Sequence, residues 1–305
     1  MCGFSGVLSP KQSEFNEAKL TKMLDAIKHR GPDDSGVWTN GAIFLGHRRL
    51  SIHDLSTTGH QPMKSHSGRY VIAFNGEIYN FEEIRAELPK TNWRGTSDTE
   101  VMLHAIDTWG VEKSLKKFNG MFAFALWDEV EKKLTLARDR FGEKPLYYGF
   151  VRGCFVFSSE LTSIEAAFGE ELSISRTGLQ AHATYSYIQA PLTIYNETSK
   201  LKPGCFLTFH TGKVEGPYQY WSIEETIEQS KRNTITDEIE AVSLLNDELK
   251  KAVKMRMAAD VPLGAFLSGG VDSSTVVALM QEQSFKPINT FSIGFNVPGY
   301  NEAEF

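Results

Sequence analysis

Five short clusters of this chain carry residue types that could do chemistry, and the first is its start, Met1-Cys2-Gly3-Phe4-Ser5-Gly6. Loss of Met1 would leave Cys2 with a thiol and a free α-amine on one carbon skeleton. The amine titrates near ~8 and the thiol near ~8.5 in model peptides, so the amine can accept the thiol proton close to neutral pH. N-terminal threonine nucleophiles work by the same logic. The alternative, a frayed or merely buried chain end, is not excluded by the dipeptide. The second cluster is His47-Arg48-Arg49-Leu50-Ser51-Ile52, where an arginine fork could take a carboxylate bidentately or simply form a solvated edge.

Asn75-Gly76, between the segments 70–74 and 77–81, predicts a β-hairpin with a type I′ turn. The same pair also suits an oxyanion, since a glycine N–H and an Asn amide supply two donors. Ser97-Asp98-Thr99-Glu100 predicts a capping box, with Ser97 as N-cap and Asp98 in the first helical turn. Asp98 and Glu77 are candidate partners for an ammonium. Together with Arg49 for a carboxylate, they would recognise a free amino acid.

The fifth cluster, Ser268-Gly269-Gly270-Val271-Asp272-Ser273-Ser274, follows an expected buried strand over 261–267 and precedes an expected helix over 274–282. A strand, a glycine turn and a helix start place N–H groups where a phosphate can sit, and Asp272 could hold the accompanying Mg²⁺. The loop has no lysine, which excludes the common P-loop, and its adjacent glycines differ from the dinucleotide fingerprint. A tight strand-to-helix turn without ligand is the alternative.

The elements that must position these clusters read as two domains, for which 305 residues suffice. A helix is expected over 15–29, and apolar strands over 42–46, 120–127, 133–138, 146–150 and 154–157, with few helices among them. That pattern suggests two stacked sheets. Composition changes around 189–202, placing the boundary between 190 and 237, with domains 1–190 and 237–305 joined by a connecting segment 191–236. From Asp237, the spacing of Ile239, Val242, Leu245, Leu249, Val253 and Met257 predicts a helix with a core face. A parallel strand is expected over 288–295.

Composition narrows the class. Hydrophobic content of 41%, charged content of 23% and net charge -6 describe a soluble globular protein without a basic nucleic-acid surface. Cys2, Cys154 and Cys205 are too few and too widely spaced for a disulfide framework or a zinc site; the latter two are expected to pack as small hydrophobes. No apolar run reaches the ~18 residues of a membrane helix and no signal peptide is evident, so a cytoplasmic enzyme with a reduced Cys2 is expected.

With these clusters, and with His29-Arg30-Gly31-Pro32-Asp33 and Ala137-Arg138-Asp139-Arg140 in the same order, the chain resembles the glutamine-dependent asparagine synthetase family over nearly its whole length. The resemblance implies an α+β N-terminal domain, a four-layer α-β-β-α sandwich of the N-terminal nucleophile hydrolase type. It also implies the start of an α/β ATP-pyrophosphatase domain like that of the adenine nucleotide α-hydrolases. Carried over by residue, Cys2 is the nucleophile, Asn75 and Gly76 form the oxyanion hole, and Arg49, Glu77 and Asp98 hold L-glutamine in a pocket lined by Leu50, Ser51, Ile52 and His53. ATP would contact Leu267, Ser268, Gly269, Gly270, Asp272, Ser273 and Ile293, with Mg²⁺ at Asp272. The glutaminase half would need no cofactor.

The implied reaction is glutamine hydrolysis with delivery of ammonia to a carboxylate activated as an acyl-adenylate, that of L-aspartate to give asparagine. The alternatives are another carboxylate acceptor, for example in surface polysaccharide biosynthesis, or glutaminase or glutamine-binding activity alone. That last reading follows from the expectation that the chain is truncated, because little sequence follows the Ser268 loop. A homodimer is implied by the resemblance only. Phosphoribosyl- and sugar-phosphate amidotransferases share the N-terminal chemistry, but the Ser268 loop points instead to ATP cleavage.

Overall fold

The structure is a computed structural model that describes residues 1–9, 15–297 and 301–302. Two compact units, Met1–Glu225 and Thr226–Phe305, divide the chain. The first begins with β1 (Gly3–Leu8), α1 (Glu17–Ala26), β2 (Asp34–Asn40), β3 (Ile43–Arg49), β4 (Met63–Lys64), β5 (Tyr70–Ile78), α2 (Phe81–Glu87), α3 (Asp98–Trp109) and α4 (Val111–Lys117). There follow β6 (Gly120–Asp128), β7 (Lys133–Arg138), β8 (Tyr147–Val151), β9 (Cys154–Ser158), α5 (Leu161–Phe168), α6 (Arg176–Tyr185), β10 (Thr198–Lys200), β11 (Cys205–His210) and β12 (Lys213–Gln219). After α7 (Ile223–Ser230) come α8 (Glu238–Arg256), β13 (Gly264–Phe266), α9 (Val271–Glu282) and β14 (Asn289–Phe291).

Strand periodicity builds the layers of the first unit. Successive side chains of a strand point to opposite faces. In β5 and β6, Val71, Ala73, Ala123, Ala125 and Trp127 point one way and join Phe4, Leu45, Phe155 and Phe157 in a core between two sheets. Ile72, Phe74, Phe122, Phe124 and Leu126 point the other way, onto Ile84, Val101, Met102 and Leu115 of α2, α3 and α4. On the outer face of the other sheet, Val7, Phe44 and Val156 meet Leu20, Met23 and Leu24 of α1 with Ile164 and Phe168 of α5. Both faces of each sheet are therefore covered, which is why these strands read as unbroken apolar runs. The sheets run β10-β8-β9-β1-β3-β2 and β12-β11-β7-β6-β5-β4, and the result is the expected four-layer α-β-β-α sandwich. Cys154 and Cys205 are buried within it.

Several local expectations give way to tertiary pairing. Asn75-Gly76 is no hairpin turn: β5 runs through both residues, with Asn75 opposite Ala123 and Gly76 opposite Phe122 in β6. A Cβ at Gly76 would lie 2.2 Å from the Met121 carbonyl oxygen, so the glycine serves a close strand approach. Ser97 does cap α3, its Oγ accepting the Glu100 N–H at 3.3 Å. The capping box is not reciprocal, because the Glu100 carboxylate accepts the N–H groups of Arg94 at 2.9 Å and Gly95 at 3.0 Å. The segment expected to connect domains supplies three strands to the first unit, β10 beside β8, and β11 between β7 and β12.

The second unit has its own small core, in which Val253 of α8 is buried with Leu279 and Met280 of α9. Asp237 Oδ1 caps α8 by accepting the Glu240 N–H at 2.8 Å. Only the C-terminal part of the expected apolar face is used; Ile239, Val242 and Leu245 are exposed. The expected strands shorten to β13 and β14, which pair in parallel, and β13 is largely exposed rather than buried. Among the described residues, no helix is long and apolar enough to cross a membrane.

Candidate active site

At one end of the sandwich, β1, β3 and β5 bring their ends together around a cleft in which water centres can occupy about 60 Å³. Cys2, Arg49, Leu50, Ile52, His53, Asn75, Gly76, Glu77 and Asp98 all line it. Ser51 does not; its backbone N–H donates to Asp33 Oδ2 at 2.8 Å. The start of the chain is not frayed. Arg30 Nε donates to the Cys2 carbonyl at 2.9 Å, and the Asn75 amide, oriented so that both its ends are satisfied, donates to the same oxygen at 2.9 Å and accepts from Arg30 Nη2 at 3.2 Å. Arg30 is in turn anchored by Glu160 at 2.8 Å. One of the two amide N–H bonds of Asn75 is thereby spent on the Cys2 backbone, and the other remains.

The Cys2 thiol lies against Leu50, whose N–H donates to Sγ at 3.3 Å. Burial pushes the thiol pKa up, and the Leu50 N–H opposes that shift. The thiol therefore needs a base. Its own backbone nitrogen is a peptide nitrogen while Met1 precedes it, and Met1 also lines the cleft.

Arg49, at the end of β3, does not present its fork freely. Nη1 donates to the Ser56 carbonyl at 3.0 Å, and Nη2 donates to the carbonyls of His53, at 3.2 Å, and Asp54. The guanidinium fills carbonyls that the tight 53–56 loop leaves unpaired, and so fixes that loop while keeping its charge on the cleft. Glu77 Oε1 accepts from His53 Nε2 at 2.6 Å. Asp98 is 5% exposed, and its Oδ2 accepts the Ile78 N–H at 2.9 Å. Burial raises its pKa, opposed by that N–H and by His53.

Gln61, Lys144, Thr99 and Met121 also line the cleft and had no site role in the sequence reading. The Gln61 Oε1 accepts the Phe74 N–H at 2.7 Å where β4 no longer covers the edge of β5. His47, buried between the sheets, donates from Nε2 to the Phe74 carbonyl at 2.9 Å. Both backbone groups just before Asn75 are thus held by side chains. No local pattern marks such residues, because their partners are remote in sequence.

The Ser268 loop lies in the second unit. The helix α9 begins at Val271, three residues before the expected start, so Asp272 and Ser273 occupy its first turn. Ser273 Oγ donates to the Gly270 carbonyl at 3.1 Å and accepts the Ser268 N–H at 3.3 Å. The Leu267 N–H donates to the Phe291 carbonyl at 2.9 Å; Ile293 lies beyond the end of β14. Gly270 caps α9 with no side chain, so its first-turn N–H groups stay open, as a phosphate would require. The fit for Mg²⁺ is narrower: among the described residues no group of three or more His, Cys, Asp or Glu is gathered, so Asp272 would need phosphate oxygens as co-ligands.

Comparison with known proteins agrees with this geometry. The family described as glutamine amidotransferase domain matches residues 1–221, and that described as asparagine synthase matches residues 244–305. A putative glutamine-hydrolysing asparagine synthetase 2 of Methanocaldococcus jannaschii is 38% identical over 97% of this chain and 60% of its own. The glutamine-hydrolysing asparagine synthetase 1 of Bacillus subtilis is 35% identical over 100% of this chain and 47% of its own. The chain spans about half the length of the curated relatives it matches. A solved glutamine phosphoribosylpyrophosphate amidotransferase from B. subtilis, complexed with ADP and GMP, shares the fold with a TM-score of 0.55 at 18% identity, over 98% of this chain and 67% of its own. Because the match takes in both sheets and every residue of the cleft, the chain belongs to the glutamine amidotransferase domain family.

Proposed function

We propose that the unit 1–225 hydrolyses L-glutamine at Cys2, and that the whole protein delivers the ammonia to an ATP-activated carboxylate, that of L-aspartate. The observation that carries this reading is the placing of a clamped N-terminal thiol in one cleft with Asn75, Gly76, Glu77 and Asp98. Removal of Met1 frees the Cys2 α-amine, which takes the thiol proton. The thiolate attacks the side-chain amide carbon, and the oxyanion is received by the Gly76 N–H and the remaining Asn75 N–H. The ammonium proton passes to the leaving nitrogen, ammonia departs, and water cleaves the thioester to glutamate. Glu77 and Asp98 receive the substrate ammonium, and Arg49 the carboxylate, over the wall formed by Leu50, Ile52 and His53.

Residues 226–305 belong on this reading to the synthetase part. Leu267, the loop from Ser268 to Ser273 and Ile293 would hold ATP, and Asp272 its Mg²⁺. When bound, the nucleotide would supply the activation of the acceptor carboxylate. The open N–H groups of α9 would orient its phosphates and Ser268 would offer a hydroxyl to them. A different carboxylate acceptor would leave the first unit unchanged. A homodimer and a reducing, cytoplasmic setting complete the proposal, the latter because a nucleophilic thiol must stay reduced.

The test is glutamate release from L-glutamine by the purified chain and by Cys2→Ser, with mass spectrometry showing Met1 absent. Release by the parent that falls by about 10³-fold or more in the variant is expected. Undiminished release by Cys2→Ser would end the assignment.

A further inference from the structure

Lys144 is 4% exposed and lines the cleft beside Cys2. An ammonium taken out of water is costly unless it is paired. Among the described residues Lys144 enters no ion pair; its Nζ contacts the thioether sulfur of Met1 at 2.9 Å. The other charges around the cleft are matched. Arg30 has Glu160, Glu77 has His53, Arg49 has the loop carbonyls and Asp98 has the Ile78 N–H.

This placement is held from both sides. The Asp139 carboxylate accepts the N–H groups of Phe122 at 3.1 Å, Phe141 at 3.1 Å, Glu143 at 2.9 Å and Lys144 itself at 3.0 Å. The Arg138 guanidinium donates to the carbonyls of Lys144 at 2.7 Å, Gly142 at 2.5 Å and Leu201 at 2.7 Å. Two largely buried charged side chains thus clamp the N–H and the C=O of one residue. The loop presents a lysine at a fixed point next to the start of the chain.

We propose that Lys144 is a positioning residue that acts through the Cys2 amine: once Met1 is gone, its unpaired ammonium disfavours protonation of that amine and keeps it able to accept the thiol proton. The inference rests on Cys2 being the nucleophile. The proton moves from Sγ to the α-nitrogen, and the same positive charge stabilises the thiolate left behind. Charges facing the amine are those of Arg30, Lys144, Asp33 and the Cys2 thiol, with Arg49, His53, Glu77 and Asp98 lining the same cleft. The Met1 amine already shows the trend: burial lowers its pKa first, and the charges of Arg30 and Lys144 act in the same direction against those of Cys2 and Asp33.

The experiment follows the Cα resonance of Cys2 by NMR from pH 5 to pH 10, in protein labelled with ¹³C-cysteine and shown by mass to begin at Cys2. Amine and thiol titrate as a pair, so the lower of two midpoints is read. Lys144→Met and Lys144→Gln should each raise it by about one unit, a tenfold change in the fraction of neutral amine. Lys144→Arg should restore it, and the acid limb of kcat/KM for glutamine hydrolysis should move in parallel. If one neutral variant fails to fold, the other decides. An unmoved midpoint in a folded neutral variant, or an equal shift in Lys144→Arg, overturns the proposal. The midpoint needs no turnover, so an inactive parent or an active Cys2→Ser would sink the glutaminase reading and be seen separately.

Discussion

Acidifying the protein from pH 7 to pH 5 should cost the first unit about 2 kcal/mol of stability, with His47 as the cause. The ring is fully buried between the sheets, donates to the Phe74 carbonyl, and has no partner for Nδ1. Burial, reinforced by the charge of Arg49 and opposed by the Phe74 bond, lowers its pKa to about 4 from 6.5. The folded-state value lies below the unfolded one, so the stabilisation is complete above pH 6.5. It is lost as pH falls toward 4, because the unfolded chain takes up a proton that the folded chain refuses. The whole interval is worth about 3 kcal/mol, of which about 2 falls between pH 7 and pH 5. Urea unfolding read by tryptophan fluorescence is specific to this unit, since Trp38, Trp93, Trp109, Trp127 and Trp221 all lie within it. Asp54, Glu100 and Asp128, whose pKa values are lowered, lose their contributions later, below the ordinary carboxylate range. Asp98, raised by burial, works in the opposite sense and is present in both proteins compared. In His47→Gln the amide can still donate to Phe74, and the pH dependence over this window should flatten. A variant that keeps the full loss, or a parent that changes by less than about 0.5 kcal/mol, refutes the reasoning.

Two substitutions probe the cleft from opposite sides. A Cβ at Gly59 would lie 2.0 Å from Arg49 Nη2 and 2.6 Å from its Cζ, so Gly59→Ala should push the guanidinium off the 53–56 carbonyls. A loss of about 1–3 kcal/mol in urea unfolding and a rise of about tenfold in KM for glutamine are expected; an unchanged KM would mean that Arg49 serves the loop alone. Glu77→Gln removes the negative charge shared with His53 and should raise KM by about 10–100-fold with a smaller change in kcat, the worth of one charged hydrogen bond. Steady-state kinetics with equal effects on both constants would take Glu77 out of ground-state binding.

Much of the fold was legible because each strand of the sandwich packs on both faces, so 120–127, 133–138 and 154–157 stand out as apolar runs whatever their neighbours. The hairpin at Asn75-Gly76 misled for the converse reason. Local turn propensity is worth little against nine residues of pairing with β6, and sequence shows the propensity but not the partner. The same division governs the site. Cys2, Asn75, Glu77 and Asp98 were legible because each belongs to a compact cluster at the end of one element. Arg30, His47 and Asp139 were visible as parts of motifs without a role, and Gln61 and Lys144 stayed silent, because what they do is set by partners between 13 and 143 residues away. These remote contacts give the early cysteine its meaning. A chain end normally frays, and an amine can serve its own thiol only if that end is fixed. The grip of Arg30 and Asn75 on the Cys2 carbonyl, and of Asp139 and Arg138 on the Lys144 loop, gives the terminal dipeptide a fixed position, which the proposed chemistry requires.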